Sequence, residues 1–287
     1  MADVRGDDQQ PRRIAADWLS LRETLDAAAR HSTVDAVRTL LAESPPRTVI
    51  DVGCGTGSGG RWLLPLLRGN EDWVLIDHDA DLLAHTAARL RASGARGEIS
   101  TRCADLAELG PALTEAGDAA LVICSALLDL LTPHQLEALV TDLAEHRTPF
   151  LLALSVTGGI AIQPGLPEDE RFAAAFNRHQ QRGGRCGPEA ASRTATLAQR
   201  AGFQVTSLET DWQLDSAEHD AGRLDALHRF ITDRATAAAE QLSAEGQADQ
   251  AAHITSGWLP RRRRAIDEGT LGMRVEHVDL IGVPGRP

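Results

Sequence analysis

The stretch Thr48-Val-Ile-Asp-Val-Gly-Cys-Gly-Thr-Gly57 decides the reading of this chain. Its first half, Thr48–Val52, is a short apolar run of strand character, and glycines at alternate positions follow at once. Gly53, Gly55 and Gly57 permit a tight turn and let a ligand approach the main chain with no Cβ in the way. Helical periodicity begins after Gly57, so the loop would present free N–H groups and the positive end of a helix dipole. A plain strand-to-helix turn rarely needs three glycines, and the loop therefore reads as a ligand cradle.

Working outward, a second strand, Trp73-Val-Leu-Ile-Asp77, ends in an acid about 20 residues beyond the glycines, where a carboxylate accepts hydrogen bonds from ribose hydroxyls. His78 follows, and Asp79 suits a helix N-cap. A third strand, Ile99–Cys103, leads into Ala104 and Asp105. Asp105 can accept from the exocyclic amine of an adenine, or cap the next helix. Further strands are expected at Ala119–Ser125, Phe150–Val156, Phe203–Glu209 and Met273–Gly282. Helices should begin near Gly57, Asp79, Asp105, Pro133 and Pro188, with Thr132 as N-cap and Pro133 in the first helical position. This alternation, from about residue 46 to 205, predicts βαβ units in a mostly parallel, doubly wound α/β sheet.

Together these residues resemble the class I, Rossmann-like, seven-stranded S-adenosylmethionine-dependent methyltransferases, over roughly residues 46–156. The resemblance implies strand order 3-2-1-4-5-7-6 with strand 7 antiparallel, and the run Val275–Ile281 fits that last strand. It implies S-adenosylmethionine as cofactor, with the methionine part against Asp51, Gly53, Gly55 and Gly57. Asp77 would take the ribose, His78 the adenine face, and Asp105 with Ala104 the adenine amine. Two further segments, Asp17-Trp-Leu-Ser-Leu-Arg22-Glu-Thr-Leu-Asp26-Ala-Ala-Ala-Arg30 and Ser125-Ala-Leu-Leu-Asp-Leu, resemble a bacterial subgroup of the family whose substrate is unassigned. Trp18, Arg22, Asp26 and Arg30 recur every fourth residue and share one helix stripe. In many family members an N-terminal helix closes over the cofactor, where Arg22 or Arg30 would clamp the methionine carboxylate. The same residues could equally form an exposed ion-pair ladder.

Two other readings compete. Gly55-Thr-Gly57-Ser-Gly-Gly60 also satisfies the dinucleotide fingerprint, and Asp77 would serve an NAD(P)-dependent oxidoreductase as well. Asp51 weighs against this, because a pyrophosphate sits poorly beside a carboxylate whereas an ammonium sits well. A non-catalytic partner subunit on the same fold is the other alternative, and the presence of Asp51, Asp77 and Asp105 together argues against it.

The organisation expected is an N-terminal helical cap over 1–45 and an α/β core over 46–214 with an insertion at 158–187. A helical insertion acting as a lid follows at 215–272, and the last core strand occupies 273–287. Ile14, Trp18, Leu21 and Leu25 mark the apolar face of the first helical stretch. Long insertions of this kind are usually functional. Candidates facing the acceptor are Asp129, just beyond the fourth strand, and Asn177-Arg-His179-Gln180, followed by Gly183-Gly-Arg-Cys-Gly187. Asp129 and His179 are the candidate general bases; Asn177, Arg178 and Trp18 are the candidate acceptor contacts. Asp129 also reads as a capping acid, and 177–180 as a solvated helix face. Arg261–Arg264 could neutralise an anionic acceptor or lie in solvent.

Composition narrows the partners. The 287 residues carry a net charge of -12, and all 29 basic residues are arginine. An acidic surface repels polyphosphate, so no nucleic-acid partner is expected. The chain lacks the [DN]PP[YF] signature of amino-methylating nucleic-acid enzymes and a Pro-Cys nucleophile. Five Trp and five Phe with no Tyr leave little for base stacking. A small-molecule acceptor is therefore expected. The four cysteines show no CxxC spacing and the ten histidines no HxxxH pair, so no metal is expected. Met1–Arg13 does not read as a signal peptide. No apolar run approaches the roughly 20 residues of a membrane span. A soluble cytoplasmic enzyme is the expectation.

Overall fold

The computed structural model describes residues 16–217 and 221–285. Ile14 and the rest of the expected cap before residue 16 lie outside the described residues. Eight strands form one sheet: β1 Thr48–Val52, β2 Asp72–Asp77, β3 Ile99–Cys103, β4 Ala120–Ser125, β5 Phe150–Gln163, β6 Phe203–Glu209, β7 Trp212–Asp215 and β8 Gly272–Pro284. Their order is β3-β2-β1-β4-β5-β8-β6, with β7 pairing alongside β8. β8 runs antiparallel to β5 and β6, while β1 to β5 pair in parallel. The expected order is thus present, and the short strand β7 is an addition that the sequence pattern did not announce.

The helices are α1 Ala16–Ala29, α2 Val34–Glu43, α3 Ser58–Leu63, α4 Ala80–Ala92, α5 Leu109–Ala116 and α6 Pro133–Glu145. They continue as α7 Asp169–Gln180, α8 Ala190–Arg200, α9 Ala221–Ala244, α10 Ala248–His253 and α11 Leu259–Asp267. The starts expected from capping residues hold. Asp79 accepts from the main-chain N–H groups of Asp81 and Leu82 at 3.0 and 3.3 Å, and Thr132 forms a capping box with Gln135.

Alternation along each parallel strand sends neighbouring side chains into different cores. Val49, Leu75 and Leu121 pack in one cluster with α1, α2 and α9, whereas Ile50, Val74 and Val122 pack in the other with α5, α6 and α8. Both faces are covered, which is why the strands read as continuous apolar runs.

The first insertion is shorter than 158–187. Residues 158–163 continue β5, which pairs with β8 through two irregularities, at Leu152/Ser155 and Val156/Ile160. Gly158 and Gly159 therefore belong to a bulge and not to a loop. Gly158 has φ +89°, and a Cβ on Gly159 would fall 2.0 Å from the Glu276 carboxylate.

The second insertion returns α9, α10 and α11 across one face of the sheet. Arg262 is 1% exposed and ion-pairs with Asp169 at the start of α7. Trp258 donates its indole N–H to Asp169 at 2.7 Å and stacks on Phe172 at 4.1 Å. Arg261 reaches Glu168 at 2.6 Å, and Arg263 donates to Thr232 at 2.9 Å. Three of the four arginines at 261–264 are thus tied to α7 and α9, so the acceptor-neutralising role is corrected to a structural one. Among the described residues no helix is long and apolar enough to cross a membrane.

Candidate active site

The glycine loop is held by the end of the neighbouring strand. Gly53 donates its N–H to the Ile76 carbonyl at 2.7 Å, and Gly55 donates to the Asp77 carboxylate at 2.8 Å. The other oxygen of Asp77 accepts from the Asp79 N–H at 3.0 Å. All three glycines have φ between +53° and +78°, where side chains are rarely accommodated. A Cβ on Gly57 would lie 2.6 Å from the Thr86 methyl, and one on Gly53 would lie 2.9 Å from Leu127. Asp77 thus fastens the loop and keeps lone pairs for further donors, since a carboxylate has about four acceptor sites. The helix after the loop, α3, has only six residues, so its dipole contributes less than the sequence suggests.

Asp51 lies beneath this loop, 2% exposed, with one carboxylate oxygen unpartnered. Burial pushes its carboxyl up to about 7, against the opposing pull of Arg30. The parallel register puts the ends of β1, β2 and β3 side by side. His78 there is half-exposed, 3.4 Å from Asp77, and the Ala104 N–H donates to the Asp77 carbonyl at 3.0 Å. Asp105 is exposed and accepts from the Ala107 N–H at 2.9 Å, so it caps the turn that follows β3.

The N-terminal helix closes over this edge. Glu23 ties α1 to α3 and α4 through Arg61 at 2.6 Å and Arg89 at 3.3 Å. Arg30 is 1% exposed, donates to the Ser125 hydroxyl at the end of β4, and lies 5.5 Å from the Trp62 ring. Burial lowers its proton affinity, while Asp26 and Asp279 oppose that shift. Arg22 pairs with Asp26 at 3.2 Å and lies over Trp212 at 5.1 Å. Asp26 is 2% exposed, so the exposed-ladder reading of the stripe is replaced by a buried one. The side chain of Trp18 lies outside the described residues.

Asp129 sits in the turn Leu128–Leu130 after β4. Burial pushes its carboxyl up to about 6, and Arg22, Arg234 and Arg185 pull it back down. The acceptor wall expected from 177–180 is placed differently. Arg178 turns outward to a two-point ion pair with Glu245 at 2.7 and 2.9 Å. His179 is 8% exposed and lies 3.2 Å from Glu240 of α9. Asn177 donates to the Gly158 carbonyl at 2.9 Å, at the β5 bulge. The reason is helical phase: Phe172, Ala175 and His179 lie on the face of α7 that packs against α9. His179 and Arg178 therefore hold the roof together, and the structure brings neither to Asp129.

Residues that local pattern did not mark complete the site. Arg234 of α9 lies over the Phe230 ring at 3.4 Å and near the Phe176 ring at 5.0 Å. His277 in β8 is 3% exposed, 2.9 Å from the Val275 carbonyl and 4.8 Å from the Trp212 ring, and burial holds it down at about 3. Asp279 accepts from the Leu154 N–H at 2.7 Å and from Thr210 at 3.0 Å, stabilising the first β5 irregularity. Among the described residues no cluster of His, Cys, Asp or Glu could hold a metal ion.

Comparison with known proteins places this geometry. Residues 49–149 match the family model described as Methyltransferase domain. No curated protein matches the chain in sequence. The cyclopropane synthase MmaA2 from Mycobacterium tuberculosis superposes with TM-score 0.52 at 12% identity, covering 95% of this chain and 100% of that one. The YcgJ protein of Bacillus subtilis gives TM-score 0.52 at 11% identity, with 90% and 100% covered. A putative methyltransferase from Bacillus halodurans gives 0.51 at 13%, with 89% and 100% covered. At these identities the likeness is one of fold.

Proposed function

Because residues 49–149 match a methyltransferase domain and the sheet has the strand order of that fold, we propose that the chain is a class I S-adenosylmethionine-dependent methyltransferase that methylates a small molecule enclosed beneath α1, α7 and α9. The residues present suit that cofactor. The unpartnered, buried oxygen of Asp51 beside a loop with no room for Cβ atoms matches an ammonium group. Asp77 would hold the ribose, with His78, Ala104 and Asp105 along the adenine edge. Arg30, aimed by Ser125, would take the methionine carboxylate, and Arg22 stands behind it.

When bound, S-adenosylmethionine supplies a sulfonium methyl group for in-line displacement, and leaves as a neutral thioether. The protein has to align the acceptor and exclude water. Asp129 is the proposed base. Titrating near 6, it is mostly ionised at neutral pH and can accept the proton that the acceptor loses. His179 is not needed for this step.

The observation that carries the small-acceptor reading is the place of Asp129, partly buried just beyond β4, where Arg22, Arg185 and Arg234 from three separate segments act on its carboxyl. A cytoplasmic location accords with the free cysteines Cys54, Cys103, Cys124 and Cys186. Cell extract incubated with the enzyme and methyl-labelled S-adenosylmethionine should show label in the dialysable fraction. Label retained on RNA or protein would sink the small-acceptor reading.

A further inference from the structure

We propose that the acceptor carries an oxyanion group, a carboxylate or a phosphate, which docks on the guanidinium of Arg234 beneath the α7–α9 roof. The inference rests on the methyltransferase reading and names the acceptor class for that same site.

Arg234, partly buried, differs from the other enclosed arginines among the described residues. Arg262 is matched by Asp169, Arg22 by Asp26, and Arg30 by Ser125 with Asp26 and Asp279 close by. Among the described residues Arg234 has no carboxylate within ion-pair distance; its Nε, like those of Arg30 and Arg262, is shut off from solvent without a partner. Its neighbours are instead the rings of Phe230 at 3.4 Å and Phe176 at 5.0 Å. Aromatic faces offset part of the cost of burying a cation, but they accept few of its hydrogen bonds. Stacking also fixes the guanidinium plane and leaves its edge donors available for two-point capture of an oxyanion.

The surrounding charge favours an anion. Arg22, Arg185 and Arg234 all act electrostatically on the Asp129 carboxyl, and Arg22 acts on Arg234 as well. Arg22 is already neutralised by Asp26, so Asp129 cannot balance what remains. Burial accordingly holds Arg234 down at about 9, against the partial support of Asp233 and Asp129. An incoming oxyanion removes this imbalance, because a buried charge becomes tolerable once paired and hydrogen-bonded. Arg234 then positions the acceptor by its anionic end, and Asp129 is left to face the atom that loses its proton.

Calorimetry on the full chain saturated with S-adenosylhomocysteine tests this with benzoate, phenyl phosphate and neutral benzamide as probes. At least one anion should bind about ten-fold or more tightly than benzamide, and the preferred anion identifies carboxylate or phosphate as the source. Arg234→Gln should abolish that preference while leaving affinity for S-adenosylhomocysteine within about two-fold. The proposal is overturned if benzamide binds as well as the anions, if no anion binds, or if Arg234→Gln leaves anion affinity unchanged. A second variant separates a structural role: Arg234→Met should keep or raise the Tm of the unliganded protein, because it removes a partly buried charge that has no carboxylate partner. A fall in Tm would make Arg234 a packing residue and overturn the proposal as well. Failure of the wild type to bind S-adenosylhomocysteine is a separate result that strikes the methyltransferase reading itself.

Discussion

At the residue scale the site is governed by buried carboxyl groups. Asp51 rises from an ordinary 3.8 to about 7 on burial. An acid whose folded pKa is raised contributes stability below its unfolded pKa, and loses it as pH climbs through the folded value. The loss here is of the order of 4 kcal/mol across roughly pH 4 to 7. Asp51→Asn should therefore raise the Tm of the unliganded protein, more at pH 8 than at pH 5. Thermal melts at the two pH values check this, and equal shifts would mean that burial of the charge is not the cause. Binding should reverse the picture, since an ammonium beside Asp51 favours its ionised form. Calorimetry near pH 6 in buffers of different ionisation enthalpy should show proton release with S-adenosylhomocysteine, and none in Asp51→Asn. Gly57→Ala tests the loop. Its φ of +78° and the Thr86 methyl 2.6 Å away should cost about 1–2 kcal/mol for the backbone alone. Affinity for S-adenosylhomocysteine should fall further than stability does, and unaltered affinity would remove Gly57 from the cradle.

At the scale of elements, the roof is held by ion pairs of very unequal worth. Asp169 joins α7 to α11 through buried Arg262 and the Trp258 indole. Asp169→Ala leaves a buried cation unmatched and should cost about 3–5 kcal/mol. Arg178 and Glu245 join α7 to α9 at the surface, with 43% and 26% of their side chains exposed. Arg178→Ala should cost less than about 1 kcal/mol and leave methyl transfer unchanged. Urea denaturation of both variants decides the comparison. Loss of activity in Arg178→Ala with stability intact would restore that residue to the acceptor wall. The pattern explains why 177–180 misled: a short run of polar side chains resembles a binding wall when the helix packed against it is unknown.

For the whole molecule, the N-terminal helix and the segments between β5 and β8 come from distant parts of the chain and meet over the ends of β1 and β4. A ligand held there stabilises every element it touches by mass action. S-adenosylhomocysteine at about 100 times its Kd should add near 2.7 kcal/mol to the folded state, seen as a rise in Tm. NADH at the same concentration should add nothing. Stabilisation by NADH alone would revive the Gly55–Gly60 register and the oxidoreductase reading.

What the sequence determined by itself is the part of the molecule written in contiguous segments. Gly53, Gly55 and Gly57 follow β1 directly, Asp77 ends β2, and Thr132-Pro133 starts α6, so neighbours along the chain were enough to read them. That the last strand pairs antiparallel beside its predecessor follows from the long insertion that separates them, whereas its place between β5 and β6 was legible only through the family resemblance. Tertiary structure alone decided the rest. Arg30 meets Ser125 across 95 residues of chain, Arg234 acts on the Asp129 carboxyl from a helix of the second insertion, and His179 turns into α9. The glycines at 158–159 became a strand bulge only because β8 lies alongside to pair with them. A buried charge acquires its partner, or goes without, from which helix faces pack together. That packing depends on contacts between distant segments, which no window along the chain contains.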